Sequence, residues 1–309
     1  MEKRRIGPLS VSLVGLGCNN FGGRLDQQRT SEVVAAALDA GIDFFDTADI
    51  YGGTHSEEFL GHALVGKRAR AIIATKFGLP LDEQRKGAKP EYVRRAVEDS
   101  LRRLGTDYID LYQLHRPDPT VPIADTLGAL DELVKQGKVR EIGASNFDVA
   151  QIREAETSVP RGAARFVSLQ NEYSLLERSV ESDVLPECRA RGIAFLPYFP
   201  LASGLLTGKY RGGASPQGTR LTEPESQLRE RFLNDAYVSI AEQLAQFATE
   251  RGHSLLDLAF SWLAARPEVS SVIAGATSAA QVEANVRAVA WQLSADERGF
   301  VDRLARPQA

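Results

Sequence analysis

The stretch AIIATKFGLPLDEQRKGAKPEYVRRAVEDSLRRLGTDYIDLYQLH, residues 71–115, reads as strand, loop, helix and strand in succession. Its ends, AIIATKF from Ala71 and YIDLYQLH from Tyr108, are short runs of β-branched and aromatic residues bounded by turn residues. Between them, KPEYVRRAVEDSLRRLG repeats apolar residues at helical spacing and stops at Gly105, where a helix end favours a left-handed residue. Strands joined through a helix run parallel, so this stretch is one βα unit of a parallel sheet.

The unit recurs in both directions along the chain. VSLVGLG from Val11 and DFFDTA from Asp43 precede it; EIGASNF from Glu141, FVSLQNEY from Phe166, AFLPYFP from Ala194 and SVIAGA from Ser271 follow. Amphipathic stretches such as SEVVAAALDAG and PIADTLGALDELVKQGK lie between, and Gly41, Gly137, Gly192 and Gly252 mark further helix ends. Ser278 with Gln281, and Ser294 with Glu297, have the spacing of capping boxes. About eight repeats of strand, loop and helix predict an α/β fold, a closed (β/α)8 TIM barrel rather than a doubly wound open sheet. The expectation is one barrel domain over residues 1–309, with a short N-terminal β-hairpin and an extra C-terminal helix after Trp291. A Gly/Pro/Ser-rich stretch from Leu206 to about Pro224 interrupts the pattern, as functional loops do.

Composition excludes several classes. The chain has 309 residues, long enough for a large core without metal or disulfide staples. Hydrophobic residues at 43% and charged residues at 25% are ordinary for a soluble globular protein. Lys+Arg 37 against Asp+Glu 41 give a net charge of -4, and no basic cluster is interleaved with aromatics, which argues against nucleic acid or an anionic membrane as partner. Cys18 and Cys188 lie far apart with no C-x-x-C pattern, which excludes a disulfide framework and makes a reducing, cytoplasmic setting the expectation. MEKRRIGPLS has no apolar segment behind its basic start, and no apolar run approaches the roughly 20 residues of a spanning helix. Neither a signal peptide nor a membrane anchor is expected. Gly15-Leu16-Gly17 opens like a dinucleotide fingerprint, but Asn20 stands at the third glycine and the next residues are loop-like, which argues against a Rossmann domain.

Barrel active sites lie at the C-terminal ends of the strands. Asp46 ends FFDTA, Tyr51 follows in ADIYGG, Lys76 ends AIIATK and His115 ends DLYQLH, so an acid, a phenol, an ammonium and an imidazole converge on one mouth. Each alone has a structural reading, as a loop cap, a turn aromatic, a solvated strand end or a core histidine. Lys76 fits such a reading worst, because its strand is otherwise apolar and a lysine there needs a carboxylate; Asp46 is the natural partner. His55, His62, His115 and His253 show no ligand spacing, so no metal is expected.

DTADIYG, ATKFG, LYQLHRPD, GASNF, SLQNEYSLL, PLASGLLTGKY and VIAGATSAAQVEAN resemble, in order and spacing, the motifs of the aldo-keto reductases, with kinship to the potassium-channel β subunit branch. The resemblance runs from about Ile6 to the C-terminal helix. It implies a barrel that binds a nicotinamide dinucleotide without a Rossmann domain and reduces aldehydes or ketones by hydride transfer. It places the catalytic tetrad on Asp46, Tyr51, Lys76 and His115. A phenol with a pKa of about 10 is a weak acid at neutral pH, so Lys76 is expected to favour the phenolate, Asp46 to hold the ammonium and His115 to orient the carbonyl oxygen.

The same resemblance implies that Ser145 and Asn146 hydrogen-bond the nicotinamide carboxamide with Gln170 joining them, and that Tyr198 stacks on the ring. It also implies that Leu201, Gly204 and Leu206 belong to a loop that would pass over the pyrophosphate, and Gly275, Thr277, Gln281 and Asn285 match family positions at the adenosine end. The basic residue that many members place in this last segment is absent, and Ala284 stands where several have a glutamate. Lys209 and Arg220 resemble positions from which the channel β subunits reach the 2′-phosphate, so NADP(H) is expected, with NAD(H) as the alternative.

Asn19, Asn20, Phe21, Phe77, Arg116 and Phe147 are the candidate pocket walls, a mixed aromatic and polar set suited to small carbonyl compounds or their alcohols. A second reading keeps fold and cofactor but makes the chain a redox sensor or partner-regulating subunit. Schiff-base chemistry at Lys76 is disfavoured, because Asp46 would keep the amine protonated.

Overall fold

The computed structural model describes residues 1–210, 216–223 and 228–305, so parts of the Leu206–Pro224 stretch and of the C-terminal tail lie outside the described residues. Strands β1 (Lys3–Ile6) and β2 (Leu9–Ser12) form an antiparallel hairpin. The parallel strands are β3 (Val14–Gly17), β4 (Phe44–Asp46), β5 (Ile72–Phe77), β6 (Ile109–Leu114), β7 (Val139–Ser145), β8 (Phe166–Glu172), β9 (Ala194–Tyr198) and β10 (Val272–Gly275). They pair in the order β10-β3-β4-β5-β6-β7-β8-β9. Beside the remaining seam, Phe195 N donates to Glu268 O at 2.8 Å and Ser270 N to Phe195 O at 3.0 Å, joining β9 to the segment that leads into β10. The fold is the expected (β/α)8 barrel.

The crossover helices are α1 (Gln27–Asp39), α2 (His55–Ala63), α3 (Pro90–Leu104), α4 (Ile123–Lys135), α5 (Val149–Ser158) and α6 (Val184–Arg191). After β9 come α7 (Leu228–Phe232), α8 (Asp235–Thr249) and α9 (Leu255–Ala264); α10 (Ala279–Arg287) follows β10, and α11 (Ala295–Leu304) is the extra C-terminal helix. Gly105 and Gly192 cap α3 and α6 with positive φ, while Gly41, Gly137 and Gly252 take positive φ just beyond the caps of α1, α4 and α8. Ser294 and Glu297 make a full capping box. The box at Ser278 is half formed: Ser278 accepts from Gln281 N, but the Gln281 side chain turns to Thr277 N at 2.8 Å.

VSLVGLG is not one strand. Ser12 Oγ donates to Val14 O at 2.8 Å and Ser12 N to Asp43 Oδ1 at 2.7 Å, which bends the chain at Leu13 and divides the run between hairpin and barrel. The hairpin's Ile6, Leu9 and Val11 then pack against Phe44, Ala74, Leu111, Leu196 and Ile273, each about 1.5 to 3 kcal/mol of apolar burial, and cap the N-terminal end of the barrel. Side chains two residues apart share a face of a strand. The next layer up the same pleat is therefore Asp46, Lys76, Gln113, Tyr198 and Gly275, and a polar layer lies on an apolar floor, open toward the C-terminal mouth.

Candidate functional site

Asp46 and Lys76 stand in that layer on neighbouring strands. Lys76 Nζ donates to Asp46 Oδ2 at 2.7 Å and to Thr47 O at 2.9 Å, and the lysine is 0% exposed. Tyr51 opens the turn Tyr51–Thr54, and its ring centroid lies 5.2 Å from Lys76 Nζ. Gly52 makes that turn fit, because a Cβ there would fall 2.3 Å from Phe21 O. His115 N donates to Phe77 O at 2.9 Å, and the imidazole sits edge-on to Tyr51 with centroids 5.8 Å apart. The four side chains singled out in the sequence thus share one mouth. Asp46 Oδ1 also accepts from Gln113 Nε2 at 3.3 Å and Gln170 Nε2 at 3.0 Å. Gln113 went unremarked in the sequence; its signal is a polar residue on the inward side of the pleat, two before His115.

Burial dominates the protonation states here. It pushes the Tyr51 phenol above its ordinary value, and the Lys76 charge pulls it part of the way back. The lysine favours the phenolate, the direction the sequence implies, and desolvation outweighs it. Burial works against the Lys76 ammonium too, yet Asp46 and Tyr51 outweigh it and leave the lysine firmly charged. His115 is pushed down to about 3 by burial and by the charges of Lys76 and Arg116, so it is neutral through the physiological range, and its buried Nδ1 has no hydrogen-bond partner.

A second cluster adjoins the first. Asn146 takes a positive φ of 61°, which lets Nδ2 donate to His115 O at 3.0 Å and to Ser145 Oγ at 3.1 Å while Oδ1 accepts from Tyr198 OH at 2.8 Å. Ser145 Oγ donates to the Gln170 carbonyl at 2.7 Å. The Gln170 side-chain Nε2 donates to Asp46 Oδ1 at 3.0 Å.

Beyond Tyr198 the chain enters the turn Ala202–Thr207, in which Leu205 and Leu206 are buried. Phe199, Ala202 and Ser203 all take positive φ, Gly204 lies beside Lys209, and the buried Ser203 Oγ has no partner. Arg220 reaches back to Asn19 Oδ1 at 3.2 Å and Asn20 Oδ1 at 2.9 Å. Gly275 is hard against the same asparagines, Asn20 Nδ2 lying 3.0 Å from where its Cβ would be. Asn285 is buried in α10. Burial, Arg24 and Arg220 all pull the Lys209 pKa down, and burial and Arg24 do the same to Arg220. Arg24, paired with Glu223, is the third cation of this group and was not picked out from the sequence.

Three candidate pocket walls are corrected. Phe77 alternates with inward-facing Lys76, so it points out of the barrel and stacks on Tyr112 with centroids 4.7 Å apart. Phe21 and Phe147 are buried in the same outer core. Asn19, Asn20 and Arg116 remain on the mouth side.

Behind the mouth, Asp49 N donates to Lys76 O at 3.0 Å, and the Asp49 carboxylate is buried with no side-chain partner. Burial, then the Glu57 charge, raise its pKa to about 7, against the opposing pull of Arg103 and Lys76. The folded value exceeds the unfolded one, so the stability contributed by protonated Asp49 is complete below about pH 4 and is lost as pH rises through about 7, at about 1.4 kcal/mol per pH unit in between. Asp49→Asn removes that loss, so its melting temperature should gain on the wild type between pH 5 and pH 8. Parallel curves across that range would refute the assignment.

A parallel barrel with a buried lysine–carboxylate pair under a tyrosine and a neutral imidazole, all at its C-terminal mouth, defines an enzyme-like class whose polar machinery is carried by the strand ends. The model of the Aldo/keto reductase family matches residues 13–306, and the chain belongs to that family of oxidoreductases. It is 36% identical over 305 residues to "Aldo-keto reductase YhdN" of Bacillus subtilis (strain 168), covering 96% of this chain and 90% of that one. To a "Probable voltage-gated potassium channel subunit beta" of Arabidopsis thaliana it is 35% identical, over 94% of this chain and 91% of the relative. To "Probable aldo-keto reductase 1" of Glycine max it is 36% identical, over 92% and 82%. The family generally uses NAD(P)H and acts on small-molecule carbonyl compounds. No helix among the described residues is long and apolar enough to cross a membrane.

Proposed function

We propose that the chain is an NADP(H)-dependent reductase of aldehydes or ketones, in which Tyr51 is the general acid, Lys76 and Asp46 set its environment and His115 orients the carbonyl. The observation that carries this reading is the fully buried Lys76, fixed to Asp46 at 2.7 Å with the Tyr51 ring above it. A lysine so held cannot leave, and its charge stabilises a phenolate once the proton has gone. Because burial keeps the phenol protonated at neutral pH, Tyr51 is poised to give a proton to a carbonyl oxygen. Neutral His115 offers that oxygen an N–H without competing as the acid.

The residues fit a dinucleotide. Ser203 presents an unpartnered hydroxyl, Lys209 and Arg220 are mutually repelling cations, and the N-terminus of α10, capped by Ser278, follows the end of β10. Lys209, Arg220 and Thr277 would hold the 2′-phosphate; Leu201, Ser203, Gly204 and Leu206 the pyrophosphate; Gln281 and Asn285 the adenosine; Ser145, Asn146, Gln170 and Tyr198 the nicotinamide. For Gln170 that role shares its amide with Asp46. When bound, the reduced nicotinamide supplies a hydride to the carbonyl carbon. The free, buried Cys18 and Cys188 suit a cytoplasmic setting.

Absorbance at the reduced nicotinamide band with a panel of aldehydes and ketones tests the reading; no oxidation with any of them would refute it. Similarity to channel subunits supports a second reading, a cofactor-bound sensor that regulates a partner. A cofactor retained for many minutes, with very slow reduction of every carbonyl, would favour it.

The cofactor preference is a separate expectation. Charge-assisted contacts from Lys209 and Arg220 are each about 1.5 to 3 kcal/mol, so kcat/KM should favour NADP(H) by about a hundredfold at low salt and less at high salt. In Lys209→Ala/Arg220→Ala the ratio should fall to a few-fold. An unchanged ratio in the double variant, or a wild type that prefers NAD(H), would overturn this account of the adenosine end while leaving the tetrad reading intact.

A further inference from the structure

Arg116 directly follows His115 and leads into the turn Pro117-Asp118-Pro119. The backbone is pinned on both sides. Asn146 Nδ2 donates to the His115 carbonyl at 3.0 Å, and Asp118 accepts from Ala88 N at 2.9 Å, Thr120 N at 3.0 Å and Thr120 Oγ1 at 2.6 Å. On this fixed mount the guanidinium is exposed and makes no ion pair or hydrogen bond with any described residue. Its charge nonetheless reaches the mouth, where it adds to burial and Lys76 in holding the His115 pKa down and opposes the burial that raises Tyr198.

Arg116 also lines a cleft of about 710 Å³ between the loops that follow β5 and β6, walled by Leu79, Pro80, Tyr92, Pro117 and Pro119. Lys86, Lys89, Arg95 and Arg116 are its cations; Glu83, Glu91 and Asp118 are its carboxylates, and Asp118 is already engaged with its own loop. Four cations face three carboxylates in the cleft, and Arg95 also lies 4.0 Å from Asp99, which leaves Arg116 as a cation with no carboxylate of its own on a chain whose net charge is -4. A planar guanidinium without a carboxylate of its own is the group best shaped to take one in two parallel hydrogen bonds.

We propose that Arg116 selects carbonyl substrates bearing a carboxylate or similar anionic group a few bonds from the carbonyl, with the apolar spacer lying along Leu79 and Pro117. The inference rests on the reductase reading above and adds the substrate class to it. The carbonyl oxygen meets Tyr51 and His115 while the anion meets the next residue in the chain, so one rigid loop holds both ends of the substrate.

The test uses the three carboxybenzaldehyde isomers, each against its own methyl ester, which keeps the ring and aldehyde and removes the charge. The wild type should prefer at least one acid over its ester in kcat/KM by tenfold or more at low salt, and the preference should shrink as salt rises. In Arg116→Gln the ratio for that isomer should fall to near one, whatever becomes of the ester rate itself, and Arg116→Lys should keep part of it. Esters turned over with no acid preferred in the wild type, or a preference that survives Arg116→Gln, would overturn the inference and leave the reductase reading standing. If acids, esters and the neutral panel are all inert, the reductase reading falls and the inference falls with it.

Discussion

Tyr51→Phe is expected to lower kcat by about 10²–10⁴-fold, the usual contribution of a positioned general acid, while leaving cofactor affinity close to that of the wild type. The reason is local. The substitution removes one hydroxyl and keeps the ring edge-on to His115, with centroids 5.8 Å apart, so the packing of the mouth is preserved. No neighbouring acid can take over. His115, pushed down to about 3, holds no transferable second proton at neutral pH, and the Lys76 ammonium is tied to Asp46 and the Thr47 carbonyl. Since burial raises the phenol, reduction should stay level through neutral pH and fall only on the alkaline side, above the ordinary tyrosine value. Single-turnover rates and a fluorescence titration of the cofactor separate chemistry from binding. Substantial turnover by Tyr51→Phe, or a loss of cofactor affinity as large as the loss of rate, would remove Tyr51 from the role of acid.

The barrel was legible because period-two and helical patterns alternate with little ambiguity, and Gly105 and Gly192 sit where helices must stop. The break after Ser12 was not legible, since it depends on a hydrogen bond to Asp43, which is distant in sequence. The four mouth residues could be read because strand ends are marked in a sequence and barrel chemistry gathers there. What failed was direction and partner. Phe77 is not a pocket wall, because alternation with Lys76 turns it outward, a direction that the same period-two rule encodes. Gln113 could have been found by that rule, two positions along the pleat from His115. Arg24 could not, because a loop residue's place in a cluster is set by where the 216–223 segment passes, and no local pattern encodes that.

Lys76→Met should be as damaging to kcat as Tyr51→Phe and should also destabilise the fold by about 3–5 kcal/mol, the cost of leaving one member of a buried ion pair alone. Methionine fills much of the volume, but Asp46 remains nearly buried with only the Gln113 and Gln170 amides as donors, at 3.3 Å and 3.0 Å. Activity and stability are separable here. Adding Asp46→Asn to Lys76→Met neutralises the stranded carboxylate while keeping an oxygen for the two amides, so the double variant should recover a large part of the lost stability in a urea melt. It should recover none of the rate, because the charge that stabilises the Tyr51 phenolate is still missing. A structural lysine would behave differently: restoring stability would restore turnover. If Lys76→Met with Asp46→Asn regains both, Lys76 holds the mouth together and does no more, and the activation of Tyr51 must come from elsewhere.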